Sequence, residues 1–475
     1  MKEKKETYNN KLCNNKMSFD DCELAVLRHA VDETEKKQGA IKVNNEDVKQ
    51  ILNIVEEFLR KKKLICYGGT AINNILPKQA QFYKRDIQIP DYDFFSDKPI
   101  DDAKELSDIY LKNGYSDVEA KSGVHYGTFK VFVNYIPIAD ITFLHPIIFK
   151  NIQKEAIKIN GIRYAPPNFL RMSMYLELSR PDGDVSRWEK VLKRLTLLNK
   201  YHPLENKKCG NVKYNINNDS PTSELNTIIR DTIIDNDGVF FGGYSSYLYS
   251  KYMNENEKDI MSSISDFDIL SEDPMKLANI IVERLKSNDI KHVKHIHHKE
   301  TGEIIPEHCE IKINDKSYIF IYKTIACHSY NKVTISGRTI NVASIETILS
   351  FYLAFAYSDH KHHKSDRLLC MSNFLINVIE KNKLSSRGIL KRFTINCYGK
   401  QKTLEDIRSE KALKFKEFND LKVDYDDKDY QMWFLKYNPS KKTTKKNKQK
   451  TRKVPAAVKS VKSKTLRNRL LEIFE

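Results

Sequence analysis

The chain repeats itself once, and the repeat constrains what it can fold into more than any other feature. Tyr67-Gly68-Gly69-Thr70 returns as Phe241-Gly242-Gly243-Tyr244, and Asp91-Tyr92-Asp93-Phe94 returns as Asp266-Phe267-Asp268-Ile269. Gly161 is matched by Gly337, and Ser173-Met174-Tyr175-Leu176 by Ser350-Phe351-Tyr352-Leu353. The four matches keep their order, with an offset that grows by one residue each time. Ordered self-similarity of this kind marks a duplicated unit. A helix is expected over about Glu46–Lys62, from Val48, Ile51, Leu52, Ile54, Val55 and Leu59, followed directly by a strand at Leu64–Tyr67 that delivers the glycine turn. A helical segment at 222–235 stands in the same place before the second turn. The expected fold class is therefore α/β (α+β), with two tandem mixed-sheet domains, flanking helices and a degenerate second copy. A chain of 475 residues exceeds one ordinary core. The expected boundaries are an N-terminal helical region at 1–45, the first copy at 46–205, the second at 206–437 and a basic tail at 438–475. Residues 1–17 are polar and expected to be loose, and Ser18-Phe19-Asp20-Asp21 reads as a helix cap before Leu24, Val26, Leu27, Ala30 and Val31.

The chemistry concentrates in the first copy. Residues i and i+2 of a strand face the same way, so Asp91 and Asp93 aim two carboxylates at one spot. Asp140 ends the apolar run Ile136-Pro137-Ile138-Ala139, and an adjacent strand brings it beside them. Three carboxylates this close repel unless divalent cations neutralise them, and hard cations such as Mg²⁺ prefer oxygen ligands. The turn Gly68-Gly69-Thr70 offers backbone N–H groups to phosphates. Together these parts suit two-metal phosphoryl or nucleotidyl transfer. The plainer reading makes Asp91 and Asp93 turn-forming acids and Asp140 half of a buried ion pair. The strand context and the repeat weigh against it.

The second copy departs at the positions that matter. Aligning Phe129–Phe143 with Cys309–Lys323 without gaps sets Phe320 opposite Asp140, and Tyr244 stands for Thr70. Asp266 and Asp268 therefore read as a retained fold element, unless another alignment recruits Glu310. The groups His292, His295, His297, His298 and His360, His362, His363 read as solvated basic loops in preference to transition-metal ligands. Ser186-Arg187-Trp188 opens a helix with Val191, Leu192, Leu195 and Leu198 apolar. From it Arg187, Lys190, Lys193 and Arg194 face either solvent or an anionic substrate, and Lys84, Arg85 and Lys121 are further triphosphate candidates.

The net charge of +17 favours polyanionic partners. Most of that surplus lies in 441–464, a run of lysines and arginines without an acid, which is expected to act as a polyanion-binding arm before an amphipathic helix at 466–474. Eight scattered cysteines without a CxxC pair suggest reduced thiols and no zinc or disulfide framework. No signal peptide is expected behind Met1-Lys2-Glu3-Lys4-Lys5, and the apolar stretch 131–149, broken by Asn134, Pro137 and Asp140, reads as two buried strands, so no membrane association is expected.

Gly68-Gly69-Thr70, Asp91-Tyr92-Asp93 and the later Asp140 resemble the signature of the DNA polymerase beta-like nucleotidyltransferases. The gap before Pro90-Asp91-Tyr92-Asp93-Phe94 is wider than in compact members. With Met174-Tyr175-Leu176-Glu177-Leu178-Ser179-Arg180-Pro181, it looks like the poly(A) polymerase catalytic subunits of poxviruses and giant DNA viruses. The resemblance spans roughly 20–435 and is most specific over 64–200. It implies template-independent addition of AMP from ATP to RNA 3′ ends, with Mg²⁺ or Mn²⁺ as two ions. In it, Asp91 and Asp93 carry both metals, Asp140 binds the one that activates the 3′-hydroxyl, and Gly69 and Thr70 hold the triphosphate; Gly68 of the same turn, Lys121 and Arg187 are added to the triphosphate site from the residues alone. It also implies viral mRNA polyadenylation in the infected host cytoplasm, and a place in the virion is a further expectation. The basic tail, a homodimer or a separate subunit is expected to provide processivity. The residues alone do not name the base, so a CCA-adding or oligoadenylate-synthesising enzyme, or a non-catalytic RNA-binding relative, stays open at this point.

Overall fold

The sequence repeat is a structural repeat. The computed structural model describes residues 12–13, 17–43, 45–83, 90–204, 209, 223–262, 266–335, 337–383 and 385–441. Helix α1 (Phe19–Val43) starts where expected, with the Ser18 hydroxyl accepting from the Asp21 N–H at 3.1 Å. Its apolar stripe lies outside the core, and Leu24, Leu27 and Val31 are exposed. Helix α2 (Glu46–Lys62) is the first core element. Asn45 caps it, and it buries Val48, Ile51, Val55, Phe58 and Leu59 along one face. Lys63 ends it in the left-handed conformation, at φ 58°.

The first unit continues through β1 (Ile65–Cys66), α3 (Gly68–Ile75), β2 (Tyr92–Ser96), α4 (Pro99–Lys112), β3 (Val118–Ser122), β4 (Thr128–Val133) and β5 (Ile136–Phe143). It closes with α5 (Pro146–Glu155), β6 (Ile157–Ile159), β7 (Ile162–Tyr164), α6 (Pro167–Leu178) and α7 (Trp188–Tyr201). The second unit runs α8 (Ser223–Asp235), β8 (Val239–Phe240), α9 (Gly243–Ser250), α10 (Glu255–Ser262), β9 (Phe267–Ser271), α11 (Pro274–Ser287), β10 (Val293–His298) and β11 (His308–Ile313). After these come β12 (Lys316–Lys323), β13 (His328–Ile335), β14 (Arg338–Ala343), α12 (Ile345–Phe355), α13 (Ser365–Lys381) and β15 (Cys397–Tyr398).

Among the described residues each sheet has eight strands; with β16 at Lys436–Tyr437, they are ordered β16-β3-β4-β5-β2-β1-β7-β6 and β10-β11-β12-β9-β8-β14-β13-β15. Without the outer strands β16 and β15, the two orders coincide element for element. The β4–β5 and β11–β12 hairpins turn alike: Asn134-Tyr135 and Asn314-Asp315 both take φ of 49° and 63°. Two-residue type I′ turns require this, and equal loop lengths keep the two hairpins in one register. Alternation sends Phe129, Val131 and Val133 of β4 into the core under α4, leaving Thr128, Lys130 and Phe132 on the open face. Helices α6 and α12 join the units, with the Ser329 N–H donating to the Ser179 carbonyl at 2.8 Å and the rings of Phe169 and Tyr357 5.4 Å apart.

The chain then returns to the first unit through α14 (Leu404–Asp420), α15 (Lys428–Phe434) and β16 (Lys436–Tyr437). Strand β16 pairs with β3, Lys436 opposite Lys121, so residues expected to close the second unit complete the first sheet instead. The physical gain is a covered sheet edge. Six of the eight cysteines are paired, as Cys13–Cys22, Cys209–Cys370 and Cys327–Cys397, while Cys66 and Cys309 are free and buried. This corrects the expectation of thiols throughout. Two of the pairs span 161 and 70 residues, so no local spacing announces them. No helix among the described residues is long and apolar enough to cross a membrane. The basic run beyond Lys441, the helix expected at 466–474, Lys84 and Arg85 lie outside the described residues.

Candidate active site

The site is assembled where β1 hands over to α3. Gly68 sits at φ +70°, and a Cβ there would stand 2.8 Å from Asp93 Oδ2, so the turn approaches the carboxylate only as glycine. The turn is tied to the acidic strand twice. The Tyr67 N–H donates to the Asp93 carbonyl at 2.9 Å, and the Thr70 hydroxyl donates to the Asp91 carbonyl at 2.8 Å. The Thr70 side chain thus holds the loop together, and the backbone N–H groups at the start of α3 are the groups offered to an anion.

Strands β2 and β5 are parallel neighbours with Asp93 directly opposite Asp140. Tyr92, Phe94, Ala139 and Ile141 turn into the core, so Asp93 and Asp140 share the other face. Asp91 lies two residues before Asp93. Burial first, then the charges of Asp140 and Asp91, push the Asp93 carboxyl up to about 7, while Lys130 and Arg187 oppose the shift. Lys130, opposite Asp140 on β4, holds its Oδ2 at 2.5 Å. A half-buried carboxyl raised by burial and by like charges is one that a divalent cation would discharge. The donors are all oxygens, which fits Mg²⁺ or Mn²⁺.

Arg194 on α7 flanks the turn. Its Nη2 donates to the Tyr83 hydroxyl at 2.6 Å, and its guanidinium lies 4.9 Å from the Phe82 ring centroid. Asn73 on α3 accepts from the N–H groups of both Phe82 and Tyr83 at 2.8 Å, which fixes that aromatic shelf. A Cβ on Gly69 would come within 3.0 Å of Arg194 Nη1, so the guanidinium stands over the glycine pair. Arg187 reaches Asp93 by its charge while pairing with Glu177 Oε1 at 3.1 Å. Lys193 pairs with Glu189 on the exposed side of α7. Lys121 is not beside the turn. It lies opposite Lys130, one whole strand removed from Asp140, pairing with Glu119 at 3.5 Å and lying 4.4 Å from the Phe132 ring. Sequence reasoning missed Lys130 and Tyr83. The alternation of β4 was the available signal for Lys130, whereas Tyr83 had none.

The second unit repeats the scaffold with different side chains around its acid pair. Asp268 is opposite Phe320, as the ungapped alignment expects, and Glu310 faces Phe320 from β11, in the place of Lys130. Glu310 therefore does not join the pair. Arg367 Nη2 lies 3.2 Å from both carboxylate oxygens of Asp266. A Cβ on Gly242 would fall 1.7 Å from Asp268 Oδ2, so the carboxylate itself fills the space against the turn. Burial and then Asp266 raise the Asp268 carboxyl, against the pull of Arg367. Tyr244, in the place of Thr70, packs 4.8 Å from the Phe240 ring. Four of the seven histidines expected in solvated loops gather here: His298, His360 and His362 pack around Glu310 and His308, and His363 is buried.

Comparison with known proteins bears on this geometry. Residues 53–184 match the family model described as poly(A) polymerase catalytic subunit. A protein of African swine fever virus, provisionally named a poly(A) polymerase catalytic subunit, is 32% identical over 167 residues, which is 34% of this chain and 35% of that protein. A protein of Acanthamoeba polyphaga mimivirus with the same provisional name is 32% identical over 160 residues, 33% of this chain and 27% of that protein. The chain thus spans about a third of the length of the curated relatives it matches. The crystal structure of the Megavirus polyadenylate synthase shares the fold over 95% of this chain and 92% of that one, with TM-score 0.74 and 18% identity. The resemblance read from the sequence is borne out: over 53–184 the chain matches the poly(A) polymerase catalytic subunits, and all three aspartates fall inside that match.

Proposed function

We propose that the chain is a template-independent polynucleotide adenylyltransferase that adds AMP from ATP to RNA 3′ ends. The observation that carries this reading is the cross-strand pair Asp93–Asp140, with Asp91 two residues away, beneath the Gly68-Gly69 turn. Asp91 and Asp93 would hold both ions, and Asp140 the one nearest the attacking 3′-hydroxyl. Bound Mg²⁺ or Mn²⁺ supplies a more acidic hydroxyl and neutralises charge on the transferring phosphoryl group. The chain's own residues do the rest. The N–H groups of the turn and Arg194 orient the triphosphate, Lys130 fixes the Asp140 side chain, and Asp93 gives up its proton when the site charges. The proposal extends to viral mRNA polyadenylation in the infected host cytoplasm, with the virion as a second location. The basic tail, or self-association, would take the role of a processivity subunit.

The test is incubation of the full-length protein with an RNA primer and each nucleoside triphosphate separately. Long products with ATP alone, dependent on Mg²⁺ or Mn²⁺, support the reading. Short mixed products or 2′-linked adenylates would replace it with a CCA-adding or oligoadenylate-synthesising enzyme. RNA binding without addition would make the chain a non-catalytic relative. Asp93→Asn should cost more than about 10³-fold in addition while RNA binding persists.

A further inference from the structure

A cluster of three histidines in the second unit has no part in the proposed chemistry. His298 ends β10 and His308 opens β11, directly opposite one another across the hairpin. His360 arrives from the segment between α12 and α13. One ring nitrogen from each lies within 4.8 Å of the other two. The hydrogen bonds already made decide which nitrogens remain. His298 Nε2 is 2.8 Å from Glu310 Oε2, and His308 Nδ1 is 3.1 Å from the Pro306 carbonyl. The nitrogens left over on the other two rings, His308 Nε2 and His360 Nδ1, are buried and without a hydrogen-bond partner. His308 itself is only 1% exposed. Buried polar atoms are nearly always partnered, and two orphans within one cluster of three rings ask for a shared ligand.

We propose that His298, His308 and His360 bind a transition-metal cation of the zinc type. Neutral imidazoles suit such ions, and three protein ligands leave a fourth position for water or a further group. The contacts behind the ligands match those of metal-binding histidines. A carboxylate, Glu310, holds the far nitrogen of His298, and a backbone carbonyl holds the far nitrogen of His308. Glu310 is in turn held by Ser317, by Lys312 at 3.5 Å and by His362 at 3.3 Å. Simple ring packing explains part of the arrangement, since His298 and His308 stack with centroids 4.7 Å apart. It does not explain the two unmatched nitrogens. The metal would staple the β10–β11 hairpin to the α12–α13 segment. The loop of that hairpin leans on the first unit: a Cβ on Gly302 would stand 3.0 Å from His145, and Glu303 lies within the field of His125 and Arg180. The site would thus brace the part of the second unit that touches the first.

The experiment uses the full-length protein, stripped with a chelator and dialysed against Zn²⁺, or against Co²⁺ as a spectroscopic probe, in excess Mg²⁺. The expected result is one Zn²⁺ retained per chain, a visible ligand-field band with Co²⁺, and a higher melting temperature with Zn²⁺. His360→Gln, on a surface segment, should weaken Zn²⁺ binding by at least about 100-fold and remove the cobalt band, and Glu310→Gln should weaken binding by about tenfold. Asp93→Asn should leave both signals in place. The proposal is overturned if the stripped protein retains no Zn²⁺, if His360→Gln binds like the parent, or if Asp93→Asn abolishes binding. If Glu310→Gln fails to fold, His360→Gln alone decides.

Discussion

Beside Asp93 in the first unit stands Asp140, and beyond it Lys130; beside Asp268 in the second unit stand Phe320 and Glu310. The shared strands, their order and the hairpin turns are the same, so much of the difference at the acids lies in side chains along one row of a sheet. In the second unit a protein cation, Arg367, sits on Asp266, and the carboxylate of Asp268 is pressed against its own glycine turn. In the first unit the nearest fixed cation, Lys130, serves Asp140, and Asp93 is left with a raised affinity for a proton. A duplicated scaffold thus keeps its acids while one arginine and one phenylalanine change what surrounds them.

The comparison can be broken most sharply by Asp140→Phe, which puts the second unit's phenylalanine beside Asp93. Nucleotide addition should fall by more than about 10³-fold with RNA affinity retained in a filter-binding assay. Gly68→Ala places a methyl group against Asp93 at a positive φ, and primer-extension rates should fall by about 10²-fold, the usual cost of a misplaced reacting group. Arg194→Met should raise KM for ATP by about tenfold with a smaller change in kcat, because it removes one charged contact of about 1.4 kcal/mol. The metal-free first unit should also show its unbalanced charge in melting curves. The Asp93 carboxyl is raised from 3.8 to about 7, so its contribution to stability is full below pH 3.8 and is lost as pH rises to about 7. Added Mg²⁺ should therefore raise Tm by a few degrees at pH 7.5 and hardly at all near pH 4, and Asp93→Asn should abolish that difference. The smallest effect belongs to the second unit. Asp268→Asn should leave nucleotide addition within about twofold, since a substitution this far from the reacting groups acts only through stability.

The repeat was legible because it is carried by local patterns: a glycine pair after a strand, acids two apart, and two hairpins of equal length. Those patterns were enough to set Phe320 against Asp140 before any coordinates. What escaped were partners brought in from a distance. Arg367 reaches Asp266 from a helix 101 residues away, and Tyr83 reaches Arg194 across 111. Lys121 was misjudged because β4 intervenes between its strand and Asp140, and strand order is not written in any one segment. His308 stands alone in sequence, and the two histidine runs give no sign that His298 and His360 meet at it.

The return of β16 to the edge of β3 has a mechanical consequence. Lys104 grips Gln431 at 2.6 Å, Lys411 donates to the Gly123 carbonyl at 2.8 Å, and the Tyr437 hydroxyl bonds Asp108 at 2.5 Å. The second unit is thus clasped at both of its ends by the first, like an insert and unlike a bead on a string. Separating the two would require peeling a strand from a sheet, so the walls between them are expected to open by bending within the clasp and not by one half swinging free.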